Sequence, residues 1–178
     1  MPSTITKLFA EYRPAILFLL RFLGIYIIGN IVYGLWILSY GTLADPITQV
    51  VTSNSAFLLN LVGFEASALV SSVNPNVALN LDGHTVVNVY EGCNAVNVSV
   101  LFVAFLFAYK GTIKKTIIYS IIGLISIYMF NLIRVAGLFL VAKYFPDQLY
   151  LMHKFIFTGV IYAFIFFLWF LWVKRFAR

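Results

Sequence analysis

Charge is what this chain has least of. Asp, Glu, Lys and Arg make up 10% of its 178 residues, against 62% hydrophobic and 18% aromatic. Soluble domains carry about a quarter charged residues, so most of this polypeptide cannot present a water-facing surface and the bilayer is its expected solvent. Cysteine occurs once, at Cys93, which excludes an intramolecular disulfide. That single thiol and two histidines, separated by long apolar runs, offer no metal-ligand spacing. Six acidic residues, scattered singly, offer no carboxylate pair for acid–base chemistry. No phosphate-cradling glycine motif is present, so no cofactor is expected. Residues 41–92 contain no Lys or Arg. Elsewhere the basic residues flank apolar runs instead of forming a cationic stripe, which argues against a nucleic-acid surface despite the net charge of +6.

What is present is apolar length. Four runs approach the roughly 20 residues that a membrane-spanning helix needs. They are Ala15–Tyr40, Asn94–Ala108 with flanks to Lys110, Thr116–Ala142 and Phe155–Val173. The first is too long for a signal-peptide core of about 7 to 15 residues and is expected to persist as an anchor. Lys7, Arg13, Lys110, Lys114, Lys115, Lys174, Arg175 and Arg178 sit in the termini or one short loop, whereas Asp45, Glu65, Asp82 and Glu91 lie in the segment without cations. The positive-inside rule then puts both termini on the inner side of the membrane, and residues 41–92 with the loop Lys143–Lys154 outside.

Within the external segment, Ile47, Val50, Val51, Leu58, Leu61, Val62 and Leu69 recur at a helical period from Asp45 to Ser72. Asp45 is placed to cap that run, Pro46 to open it and Gly63 to split it. From Asn76 to Tyr90 apolar residues alternate around Asp82-Gly83, a hairpin signal. The expected fold is an all-α integral membrane protein, one domain over residues 1–178, with four transmembrane helices, an external amphipathic helix and a small β-hairpin.

Three residues carry chemistry. Cys93 is expected at the outer N-terminus of the second span, where free amides and the helix dipole favour a thiolate; its plain alternative is a small buried hydrophobe. Arg134 lies within the third span, where a cation costs at least about 2.5–3.5 kcal/mol and marks a functional position. Arg21, near the inner end of the first span, is expected to snorkel to headgroups. His153 opens the fourth span and suits a proton shuttle. Topology alone sends all three to the outer face, and together they suit acyl transfer: nucleophile, base, and an oxyanion-stabilising or substrate-orienting cation. Asn131, one turn before Arg134, and Asn97, four residues after Cys93, are expected to line a polar pocket with them. His84 falls at the hairpin tip and is given no role.

The stretches "EGCN" at Glu91–Asn94 and "NLIRVAG" at Asn131–Gly137, with His153 ahead of the last span, resemble the exosortases and archaeosortases, most closely the short F-type exosortase of the Bacteroidetes lineage. The resemblance implies a membrane cysteine transpeptidase with Cys93, Arg134 and His153 as catalytic residues and Glu91, Asn97 and Asn131 in support. Its partners would be exported proteins ending in a short motif, a transmembrane helix and a basic tail, which it would cleave and transfer to a cell-envelope acceptor within membrane lipid. Two departures stand out: many relatives have about eight spans, and Ala95 occupies a position where they carry Gly. Two other readings stay open, a non-catalytic subunit binding a partner helix or headgroup through Arg134, and a small transporter.

Overall fold

Unbroken apolar sequence gives the chain its long helices. The computed structural model describes residues 4–176. Helix α1 runs Thr4–Leu38, α4 runs Ile113–Tyr144, and a last helical segment, Pro146–Phe176, ends the described chain. Among the described residues, these three are long and apolar enough to cross a membrane. Helix α3, Val96–Ala108, is apolar too but has 13 residues. That is about 20 Å at 1.5 Å per residue, against about 30 Å of hydrocarbon. The second expected span is therefore shorter than its sequence implied. Ala95, with φ 65°, sits in a left-handed conformation that a helix cannot contain, so α3 starts at Val96 instead of Asn94, and Tyr109 leaves it extended. The last helix begins at Pro146 instead of Phe155. Of the basic residues expected at the inner edge, Arg178 lies outside the described residues, as does the side chain of Lys7.

Helix α2, Pro46–Leu61, opens as the sequence requires. Asp45 caps it by accepting from the Thr48 N–H (2.9 Å) and the Thr48 hydroxyl, and Pro46 holds the first position. The expected helical run to Ser72 does not continue. Gly63 takes φ 91°, and the Asn60 side chain brackets Ala66, accepting its N–H at 2.7 Å and donating to its carbonyl at 3.0 Å. The chain leaves that clasp as a strand, β1 (Ala66–Val70). It pairs antiparallel with β2 (Asn76–Leu81), which pairs antiparallel with β3 (His84–Tyr90). The all-α fold with one hairpin is thus corrected to a helical protein bearing a three-stranded sheet in the order β1-β2-β3. The β2–β3 turn is the expected one: Asp82 (φ 51°) and Gly83 (φ 79°) supply the two positive angles of a type I′ turn.

Two apolar clusters hold the molecule together, and α4 belongs to both. Its first part, including Tyr119 and Ile127, packs with Phe102 and Leu106 of α3 and with Ile161, Ile165 and Leu168 of the last helix. Its later part, Leu132, Val135, Ala136 and Phe139, packs with Leu59 of α2 and with Leu79 and Val89 of the sheet. At 32 residues, or about 48 Å, α4 exceeds the hydrocarbon thickness and can serve both layers. Gly123 fixes its approach to α3: a Cβ there would stand 2.2 Å from the fully buried ring of Phe102. Helix α1 is peripheral, with none of its most apolar window buried, and leans on α3 through Phe18 and Phe22 set edge-on to Phe105. Arg134 falls in the later part of α4. At 8% exposure it is enclosed by protein, so its cation faces the molecular interior rather than lipid.

Candidate active site

At Tyr90 the last strand passes directly into a 3-10 turn, Glu91–Cys93, closed by the Asn94 N–H donating to the Glu91 carbonyl at 3.3 Å. Asn94 and Ala95 then separate Cys93 from α3. Cys93 is therefore not the first residue of that helix, which corrects its expected placement. For the same reason the helical count from Cys93 to Asn97 fails: Asn97 stands exposed on α3, on no shared face with the thiol. The left-handed Ala95 stands where the resemblance leads one to expect glycine. A side chain in that conformation costs about 1–2 kcal/mol, and glycine adopts it freely.

Cys93 is half-buried, and its Sγ lies 3.4 Å from Nε2 of His153 across sixty residues of chain. His153 belongs to a stretch of the last helix, Met152–Phe157, wound as a π-helix. Such winding shifts side-chain directions relative to an α-helix and recurs at functional sites. The His153 carbonyl is taken up by the Thr158 hydroxyl at 2.8 Å. Unprotonated at Nε2, this imidazole is placed to accept the thiol proton.

Asn131, with no exposed surface, lies where the two apolar clusters meet on α4. Its Nδ2 donates to the Cys93 carbonyl at 2.8 Å, and its Oδ1 accepts from Nη1 of Arg134 at 3.3 Å. Arg134 is thus tied to the cysteine through Asn131, and its buried Nε has no hydrogen-bond partner among the described residues. Glu91 contributes through its backbone, by holding the turn. His84 is exposed at the hairpin end.

The residue that sequence reasoning passed over is Asn94. It is 4% exposed; its Nδ2 donates to the Tyr33 hydroxyl of α1 (2.7 Å) and to the Thr48 hydroxyl of α2 (3.1 Å), while its Oδ1 accepts from the Val96 N–H (3.0 Å). Thr48 in turn bonds Asp45. One buried polar chain therefore anchors the residue after Cys93 to two other helices. The signal available was the pairing of a polar residue with a cysteine in a stretch otherwise bound for the interior.

Cys93 and His153 share the wall of a cavity of about 520 Å³, bordered by Thr85–Tyr90 of β3 and by Val135 and Leu138 of α4. A thiol–imidazole pair opening on a cavity, set on apolar helices of which three can span a bilayer, defines a multi-pass membrane protein with a cysteine-centred site. A family model described as transmembrane exosortase (Exosortase_EpsH) matches residues 9–172, and the chain belongs to that family. No curated protein and no solved structure matches the chain.

Proposed function

We propose that this protein is a membrane-embedded cysteine transpeptidase that cleaves the C-terminal sorting signal of an exported protein and transfers that protein to a cell-envelope acceptor. The observation that carries the reading is the 3.4 Å approach of Cys93 Sγ to His153 Nε2. His153 takes the thiol proton as sulfur bonds to the scissile carbonyl carbon. The tetrahedral adduct collapses, the C–N bond breaks, and the departing amine leaves with the proton from His153. The thioester left on Cys93 is then attacked by the acceptor nucleophile, whose proton passes to His153, and the thiol is restored. Arg134 is not among the residues that line the cavity; held by Asn131, it supplies its fixed positive charge toward the developing oxyanion or the substrate. Asn131 holds the Cys93 backbone so that sulfur, imidazole and guanidinium keep one geometry.

The distribution of Lys and Arg supports a four-span, N-in and C-in arrangement with the site on the extracytoplasmic face, and the membrane would be a bacterial inner membrane. The substrate signal would be a short motif, a transmembrane helix and a basic tail, and the enzyme would be of the short F type. Co-expression with an exported protein carrying such a signal tests this. Cys93→Ala should insert normally and leave the substrate unprocessed, and full processing by Cys93→Ala overturns the reading. The unpartnered Nε of buried Arg134 favours one second reading, a non-catalytic subunit that binds a partner helix or headgroup there. That reading requires Cys93 to be dispensable and Arg134 not.

A further inference from the structure

The sheet order β1-β2-β3 leaves β3 with one edge that no strand covers among the described residues. Pairing with β2 engages the N–H and C=O of every second residue, so the alternate residues of β3 turn theirs outward. Edges of this kind are ordinarily blunted by lysine, proline or inward charge. Thr85–Tyr90, "TVVNVY", has none of these; its one irregularity is a bulge at Val86, opposite Leu79 and Asn80. These six residues, of which Thr85, Asn88 and Tyr90 are exposed, form one wall of the cavity that contains Cys93 and His153. The strand then delivers the chain to Cys93 within a single tight turn.

We propose that the cavity is a strand-addition site, in which the substrate residues preceding the scissile bond lie extended along β3 as a fourth strand, hydrogen-bonded to its outer edge. The inference rests on the transpeptidase reading and adds to it the conformation and class of the segment recognised. Polarity follows from the connection of β3 to the nucleophile. A peptide running beside β3 in the same direction ends where β3 ends, with its last carbonyl presented to Cys93. At about 3.3 Å per residue, the wall from Thr85 to Tyr90 accommodates five or so substrate residues. No carboxylate, lysine or arginine is among the described lining residues, and Val86, Val87, Val89, Val135, Leu138 and Leu149 make most of the wall apolar. The occupant is therefore an uncharged segment with apolar side chains at alternate positions. The main chain supplies most of its affinity and the alternate side chains supply selectivity, as in other strand-addition sites.

The test uses the full-length protein in lipid nanodiscs and the probe acetyl-Val-Thr-Val-Ala-Gly-vinyl sulfone. Addition forms a bond between Sγ and the terminal vinyl carbon, and the thiol proton ends on the carbon next to the sulfone. The rate of Cys93 modification is followed by intact mass for the probe and for versions in which one amide at a time is replaced by an ester, which deletes a single N–H without adding bulk. Strand addition predicts losses of about three- to tenfold at every second position and changes under twofold at those between. A flat scan, or losses without alternation, overturns strand addition while leaving Cys93 as nucleophile. If the unmodified probe leaves Cys93 unlabelled, the transpeptidase reading falls and the inference falls with it.

Discussion

Replacing Asn131 by leucine tests the internal wiring of the site without touching a reacting group. The side chain has no exposed surface and makes two hydrogen bonds, one to the Cys93 carbonyl at 2.8 Å and one from Arg134 at 3.3 Å. Leucine keeps similar bulk and can make neither. The first bond is between neutral groups and worth about 0.5–1.5 kcal/mol; the second is charge-assisted and worth about 1.5–3 kcal/mol, at the low end for its length. Their sum, about 2–3 kcal/mol, is the free energy that holds the nucleophile and the guanidinium in register. At 1.36 kcal/mol per factor of ten, loss of all of it from the transition state lowers kcat/KM by about 30- to 150-fold. Substrate processing in nanodiscs measures this, with the iodoacetamide modification rate of Cys93 as a second readout of thiol geometry. Asn97→Leu is the matched control, because Asn97 is exposed on α3; it should stay within twofold of the native protein. Native-like turnover by Asn131→Leu, or equal damage from Asn97→Leu, would refute the relay.

Arg134→Lys keeps the charge but loses the planar fork that meets Asn131, so turnover should fall by at least about tenfold with insertion unchanged; unaltered turnover would reduce Arg134 to a structural cation. Ala95→Gly removes the strain of a left-handed alanine, offset in part by chain entropy, and should raise stability by about 0.5–1 kcal/mol, read as a higher midpoint in a thermal scan of the protein in detergent. Gly123→Ala forces a methyl into the ring of Phe102 and should destabilise the protein by about 1–3 kcal/mol, seen in the same scan as a lower midpoint.

Much of this arrangement was legible in residue order. Asp45-Pro46 marks a helix start because a carboxylate and a proline suit the same two positions, and the α2 cap is built that way. Asp82-Gly83 marks a turn because both residues tolerate positive φ, and both adopt it. What escaped were places where backbone geometry departs from a regular period. Ala66–Val70 reads as the end of a helix because five residues, apolar except for Ser67, fit either period; its partner strand decides, and that strand starts ten residues on. The count from Cys93 to Asn97 assumes an unbroken helix, which left-handed Ala95 interrupts, so the buried asparagine is Asn94 and the exposed one is Asn97. The π winding at Met152–Phe157 has no sequence signature, yet it includes the histidine that meets the thiol. The juxtaposition of Cys93 with His153 was legible only as a shared face. Its 3.4 Å distance depends on the tight turn after β3 and on that winding.

The most direct test is to trap the covalent intermediate. Full-length protein is incubated with a peptide comprising a candidate motif, transmembrane helix and basic tail, quenched in acid within seconds, and weighed intact. The account predicts an added mass equal to the N-terminal cleavage fragment of the peptide, as its free acid, less one water, mapped to Cys93, discharged by hydroxylamine and absent from Cys93→Ala. Peptide cleavage that proceeds with no adduct on Cys93, or that persists in Cys93→Ala, would contradict it.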